Sequence, residues 1–149
     1  MPTIDRNLAG ATAFGDVVVS SADLPSQMGA TSIGATTPAG WLARVAERCS
    51  ELFSLPAGWD GYVAPQIDAD LIQKAWEFIK AAARSVSVAP SVVPTVSGGV
   101  AIEWHVRGIE LEIEMTSSGA IVLLEDEMGE VEGALSEHAE RVAAALHRL

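Results

Sequence analysis

From Val100 to Met115 the apolar positions fall on every second residue. Val100, Ile102, Trp104 and Val106 alternate with Ala101, Glu103 and His105. Beyond Arg107-Gly108, Ile109, Leu111, Ile113 and Met115 alternate with Glu110, Glu112 and Glu114. Strict period-2 alternation marks half-buried strands, and Arg107-Gly108 reads as the two-residue turn between them. The register that follows pairs Val106 with Ile109. His105 then faces Glu110, Glu103 faces Glu112 and Ala101 faces Glu114 on one side. Trp104–Leu111, Ile102–Ile113 and Val100–Met115 line the other. A slip of one residue would put every one of those apolar side chains in water, so the register is strongly specified.

Upstream the period changes from two to about 3.6. Trp41, Leu42, Val45, Ala46, Cys49, Leu52 and Phe53 recur at three- and four-residue spacing, with Arg44, Glu47, Arg48 and Glu51 between them. That is an amphipathic helix, with Thr37-Pro38 as its N-cap and first-turn proline and an end before Pro56. Asp68 caps a second helix through about Ala83. Its apolar set, from Leu71 and Ile72 to Ala82 and Ala83, covers more than half the circumference, which predicts a well-buried helix. Pro90–Val96 is extended, and its two prolines place it at a sheet edge or leading into a strand. Ser97-Gly98-Gly99 turns into the hairpin. Ser117-Ser118-Gly119 turns into a third strand, Ala120–Leu124, and Glu127-Met128-Gly129 is a further turn or loop. Ser136 is the expected N-cap of a last helix carrying Ala139, Val142, Ala143, Leu146 and Leu149.

This order, two helices, three or four antiparallel strands and a C-terminal helix, predicts a single α+β domain over residues 38–149. The two helices are expected to pack on the sheet. Residues 1–37, rich in Gly, Ala, Ser and Thr, read as a flexible arm with one short strand at most, Val17-Val18-Val19. The third strand is apolar at every position, so two of its large aliphatics must fall on the carboxylate side. The C-terminal helix is their expected cover, with the N-terminal arm and a partner protein as alternatives.

Composition supports this architecture. A chain of 149 residues, 49% hydrophobic, can bury a core without disulfides. No run of 18 apolar residues is present, so no membrane-spanning helix is expected. The N-terminus has no basic stretch followed by an apolar one, and the single cysteine, Cys49, has no partner; a cytoplasmic protein is the expectation. Cys49 falls on the apolar side of its helix and reads as a small buried hydrophobe.

Charge adds the functional clue. Of the net −11, residues 1–99 carry nine acids against six bases, while residues 100–137 carry ten acids against Arg107 alone. A surface of that sign repels nucleic acid, whose binding depends on Lys and Arg. It suits a basic protein partner, a cation or plain solubility. Glu103, His105, Glu110 and Glu112 on one strand face form the sharpest catalytic or metal-ligating candidate, through mutually raised carboxylate pKa values or a Glu/His donor set. The more ordinary reading is a solvated face on which His105 pairs with Glu110. No phosphate-binding loop, dinucleotide fingerprint, nucleophile elbow or zinc-spaced Cys/His set is present. No cofactor is expected. His138 and His147 lie nine apart, on opposite sides of the last helix. In Gly58-Trp59-Asp60-Gly61-Tyr62, the aromatics are either partner anchors or, for Trp59, a plug between helices with Asp60 satisfying turn amides.

Leu55-Pro56-Ala57-Gly58-Trp59-Asp60-Gly61-Tyr62, Val93-Pro94-Thr95, Gly98-Gly99-Val100, Ile102-Glu103-Trp104 and Leu111-Glu112-Ile113-Glu114 together resemble the skeleton of a group of small, largely uncharacterised bacterial proteins. The likeness covers about residues 52–125. It implies no activity, but it implies a setting among mobile-element, toxin–antitoxin and defence genes. The expected function is therefore a non-enzymatic acidic protein-binding module, an inhibitor or antitoxin-like regulator of a basic, nucleic-acid-binding partner. Glu103, Glu110, Glu112, Glu114, Glu125, Asp126 and Glu127 would supply the field, and Trp59 and Tyr62 the anchors. The alternatives are a metal-assisted or acid–base enzyme built on Glu103, His105, Glu110 and Glu112, and a structural subunit that oligomerises through the third strand, with a homodimer as one form.

Overall fold

The helical periodicities and the alternating strands take their places in two layers. In the computed structural model, which describes residues 40–149, α1 spans Leu42–Phe53 and α2 spans Ala69–Ala82. The face of α1 that turns inward carries Val45, Ala46, Cys49 and Leu52. α2 begins where the Asp68 carboxylate accepts the Asp70 N–H at 2.8 Å, which satisfies one orphan donor of the first turn. It then buries Leu71, Ile72, Ala75, Trp76, Phe78, Ile79 and Ala82. The expected arm over 1–37, its Val17–Val19 strand and the Thr37-Pro38 cap lie outside the described residues.

Five strands follow: β1 (Ser91–Pro94), β2 (Val100–Val106), β3 (Ile109–Thr116), β4 (Gly119–Asp126) and β5 (Gly129–Ala134). Each pairs antiparallel with its neighbour in sequence, giving the order β1-β2-β3-β4-β5. A short 3-10 turn, Leu135–Glu137, leads into α3 (Ala139–Leu146). The described residues thus form an α+β fold with three helices and a five-stranded antiparallel meander. The β2–β3 register is the one the alternation predicts, from Val106↔Ile109 to Val100↔Met115. Its turn has positive φ at both Arg107 (56°) and Gly108 (75°), the mirror-image turn whose twist suits a two-residue hairpin. Arg107 is held there by its Nη1, which donates to the Leu149 carbonyl oxygen at 2.8 Å.

Three expectations are corrected. The sheet has five strands rather than three or four, because Gly129–Ala134 adds one beyond the turn. The strand expected at Ala120–Leu124 is the longer β4, and Ser136 lies in the 3-10 turn, with His138 at the N-cap position of α3. The C-terminal helix does not cover the carboxylate side. Val142, Ala145 and Leu146 of α3 join the same core as α1 and α2. The reason is parity: Val122 and Leu124 of β4 pair with Ile113 and Leu111 on the apolar side, and that side offers the helix more apolar area.

All three helices therefore pack on one sheet face. Trp104, Ile102, Ile109, Leu111 and Ile113 are fully buried beneath them, and Trp104 Nε1 donates to the Val88 carbonyl at 2.9 Å. A single covered face is a stable arrangement for an antiparallel sheet, which tolerates water on the other. Ile113→Ala should cost about 2–5 kcal/mol in equilibrium denaturation, the range for a buried aliphatic truncated to alanine. Leu123→Ala, on the next strand but facing outward, should cost less than about 1 kcal/mol. Equal costs would mean that the outer face is also covered.

Candidate protein interface on the outer sheet face

The strand registers turn the alternation into a lattice. Reading across β2, β3, β4 and β5, one outward row is His105–Glu110–Glu125–Glu130. The next is Glu103–Glu112–Leu123–Glu132, and the third is Ala101–Glu114–Ile121–Ala134. Strands about 4.8 Å apart and rows about 7 Å apart place these side chains on one continuous surface. It holds seven glutamates and, among its outward positions, no lysine or arginine. Ile121 and Leu123 lie among the carboxylates, each 43% exposed. They are the two aliphatics that the apolar run of the strand had to leave on this side.

The bases of the C-terminal half do not neutralise this face. Arg107 is turned to the Leu149 carbonyl. Arg141 and Arg148 both close on Asp126, with Arg141 Nη1 and Arg148 Nη1 each 2.9 Å from its Oδ2. Arg148 also reaches Glu127 at 3.3 Å. The Asp126 side chain has no solvent exposure. Hydrogen bonds from Arg141, then from the Met128 N–H and Arg148, hold its carboxyl well below the usual carboxylate range, against the opposing effect of burial. Asp126 is thus a clamp between the β4–β5 turn and α3, not part of the acidic face. Glu127 is exposed but sits in that turn.

Of the residues expected at the interface, Glu103, Glu110, Glu112, Glu114 and Glu125 come together on the outer face. Glu130 and Glu132, in the acidic run expected to continue from Glu125 through Glu132, join them from β5, a strand the sequence did not mark. Continuing the parity of β4 through the two-residue turn Glu127-Met128 would have placed them on this face. Trp59 and Tyr62 belong to the α1–α2 connection. Trp59 is turned inward, its Nε1 donating to the Pro65 carbonyl at 3.2 Å and its ring packed against the core. Asp60 accepts the Tyr62 and Ala64 N–H groups at 2.9 and 3.1 Å, and the ends of the loop meet through Gly58 N–H to the Ala64 carbonyl at 2.7 Å. The tied loop projects Tyr62, 83% exposed, and Val63, 92% exposed.

The electrostatics follow from crowding. Glu103 and Glu112 are directly opposite, as are Glu110 and Glu125, and Glu125 and Glu130. Partial burial, then Glu103 and Glu114, push the Glu112 pKa up, with His105 opposing. His105 shares a hydrogen bond with Glu110 through Nδ1 and has Nε2 3.5 Å from Glu103. The Glu110 bond, aided by Glu103, raises the His105 pKa above 6.5. The side chains of His105 and Glu110 are both about half exposed, 52% and 57%, so the pair is an open surface ion pair. Among the described residues no group of three His, Cys, Asp or Glu is placed to hold a metal ion. Cys49 is fully buried, and burial pushes its thiol up to about 12. No described helix is long and apolar enough to cross a membrane.

The chain matches no protein-family model, no curated protein and no solved structure.

The His105 geometry has a measurable consequence. Its folded pKa lies above the unfolded value of 6.5, so its pairing adds stability below pH 6.5, and that contribution is lost as pH rises through the folded pKa. An NMR titration of the imidazole should give a value above 6.5 that falls back toward it in Glu110→Gln. A titration unmoved by that substitution would contradict the pairing.

Proposed function

We propose that this protein is a non-enzymatic acidic binding module, an inhibitor or antitoxin-like regulator that uses its outer sheet face to cover a basic surface on a protein partner. The observation that carries the reading is the unneutralised face itself. Seven glutamates share it while Arg107, Arg141 and Arg148 are engaged elsewhere. A sheet face left bare only for solubility needs no exposed aliphatics, yet Ile121 and Leu123 stand among the carboxylates. An apolar centre with a charged surround is the usual anatomy of a protein interface. A lattice of carboxylates also matches what a phosphate-binding protein surface offers, several Lys and Arg side chains in a row, so a nucleic-acid-binding partner suits the reading best. The Glu/His array is read as field rather than as catalysis, because His105 and Glu110 are half exposed on an open sheet face.

Capture from a lysate of the native host tests this. The wild-type chain should retain a basic partner at low salt and release it as salt rises. Glu112→Lys with Glu132→Lys should lower its capture by about ten- to a hundredfold, the effect of reversing close interfacial charges. A lysate that yields no basic partner at any salt, or a partner retained equally by the reversed variant, would overturn the reading.

A further inference from the structure

The two edges of the sheet are built differently. At β1 the edge is short, flanked by Pro90 and ended by Pro94, and Arg48 Nε of α1 donates to the Val92 carbonyl at 2.8 Å. That edge is blunted by proline and by a side-chain cap. β5, at the other edge, carries no proline, and the side-chain bond to it, Arg141 Nη2 to the Gly129 carbonyl at 3.0 Å, lies at its start beside the turn. It joins β4 through the two-residue turn Glu127-Met128, with Asp126↔Gly129 as the closing pair. In such a hairpin the closing pair and every second pair beyond it carry the ladder hydrogen bonds. Gly129, Val131 and Gly133 therefore bond toward β4, and the N–H and C=O groups of Glu130, Glu132 and Ala134 point away from the sheet. All three residues are exposed. Beneath this edge an open groove of about 690 Å³ runs between Val131 of β5 and Arg141 and Ala144 of α3, with Glu137, His138 and Glu140 along its polar wall.

An open edge with a groove below it is the geometry that accepts one more strand. Charge decides whose. If a second copy of this chain paired its own β5 antiparallel about Val131, Glu130 and Glu132 of one copy would stand opposite Glu132 and Glu130 of the other. Like charges directly opposite destabilise a strand pair. A strand with Lys or Arg at every second position reverses the sign. Its basic side chains would lie beside Glu130 and Glu132, and its intervening apolar ones would enter the groove beside Val131 and Ala144.

We infer that β5 is a strand-addition site, on which the partner lays an extended segment of alternating basic and apolar residues as a sixth strand. This rests on the acidic-interface reading above and specifies its mode of attachment. The partner's remaining surface would then lie over Leu123 and Ile121 on the adjoining face.

Proline offers a clean test. Ala134 has φ −68°, already proline's preferred value, and its N–H is one of the outward ones. Ala134→Pro should leave charge, fold and the internal ladder intact while removing an edge donor. The probe is a short peptide of alternating lysine and valine, with an N-methylated version as control. With the wild-type chain, the peptide should slow hydrogen exchange at the Glu130, Glu132 and Ala134 amides by about tenfold or more, and the N-methylated peptide should not. The Ala134→Pro chain should bind the peptide about tenfold more weakly with an unchanged circular dichroism spectrum. Peptide binding that shifts Glu103, Glu112 and Leu123 resonances, gives no protection along β5 and is indifferent to Ala134→Pro would overturn the strand-addition site while leaving the acidic interface standing. Loss of binding in neither Ala134→Pro nor the Glu112→Lys, Glu132→Lys pair would overturn both.

Discussion

The whole molecule depends on one constraint, the side-chain parity of the meander. Two-residue turns after β2, β3 and β4 carry the inward/outward alternation from strand to strand without a slip. Val100, Ile102 and Trp104 therefore share a face with Ile113, Val122 and Leu124, and that shared face draws all three helices to one side. The same parity sends every glutamate of β2 to β5 to the other side. Covering the apolar face and concentrating the acids are thus one event, with β2–β3 pairing at its centre.

The price of that concentration is repulsion. Directly opposed carboxylates destabilise a strand pair by about 0.2–1 kcal/mol each, and at Glu112 they add to partial burial, the larger cause of its raised pKa. The chain relieves it only at the margin, where His105 pairs with Glu110 and Glu103. Its other C-terminal bases act on the inner side, where Arg141 and Arg148 join α3 to the β4–β5 turn through Asp126. On the proposed reading, a partner would supply the positive charge and apolar cover that this surface lacks.

Much of this was legible in the residues, for stated reasons. The β2–β3 register could be read pair by pair because each strand alternates without exception. α2 announced itself through Asp68 and a wide apolar stripe. β5 was hidden because its inward positions are Gly129, Val131 and Gly133, leaving a single apolar residue to signal a strand. The docking side of α3 was also hidden: an amphipathic stripe says that a helix must bury a face, not which face of the sheet receives it. The role of Asp126 was readable in principle, since it shares the parity of Val122 and Leu124. Its guanidinium partners, 15 and 22 residues away, were not.

On the proposed reading the outer carboxylates oppose folding and are kept for recognition. Urea denaturation of the Glu112→Gln, Glu125→Gln double variant at pH 7 and low salt tests it most directly, since removing two like charges from one face should raise the midpoint by relieving repulsion. A midpoint that falls would show that the glutamates hold the sheet together, and would contradict the account.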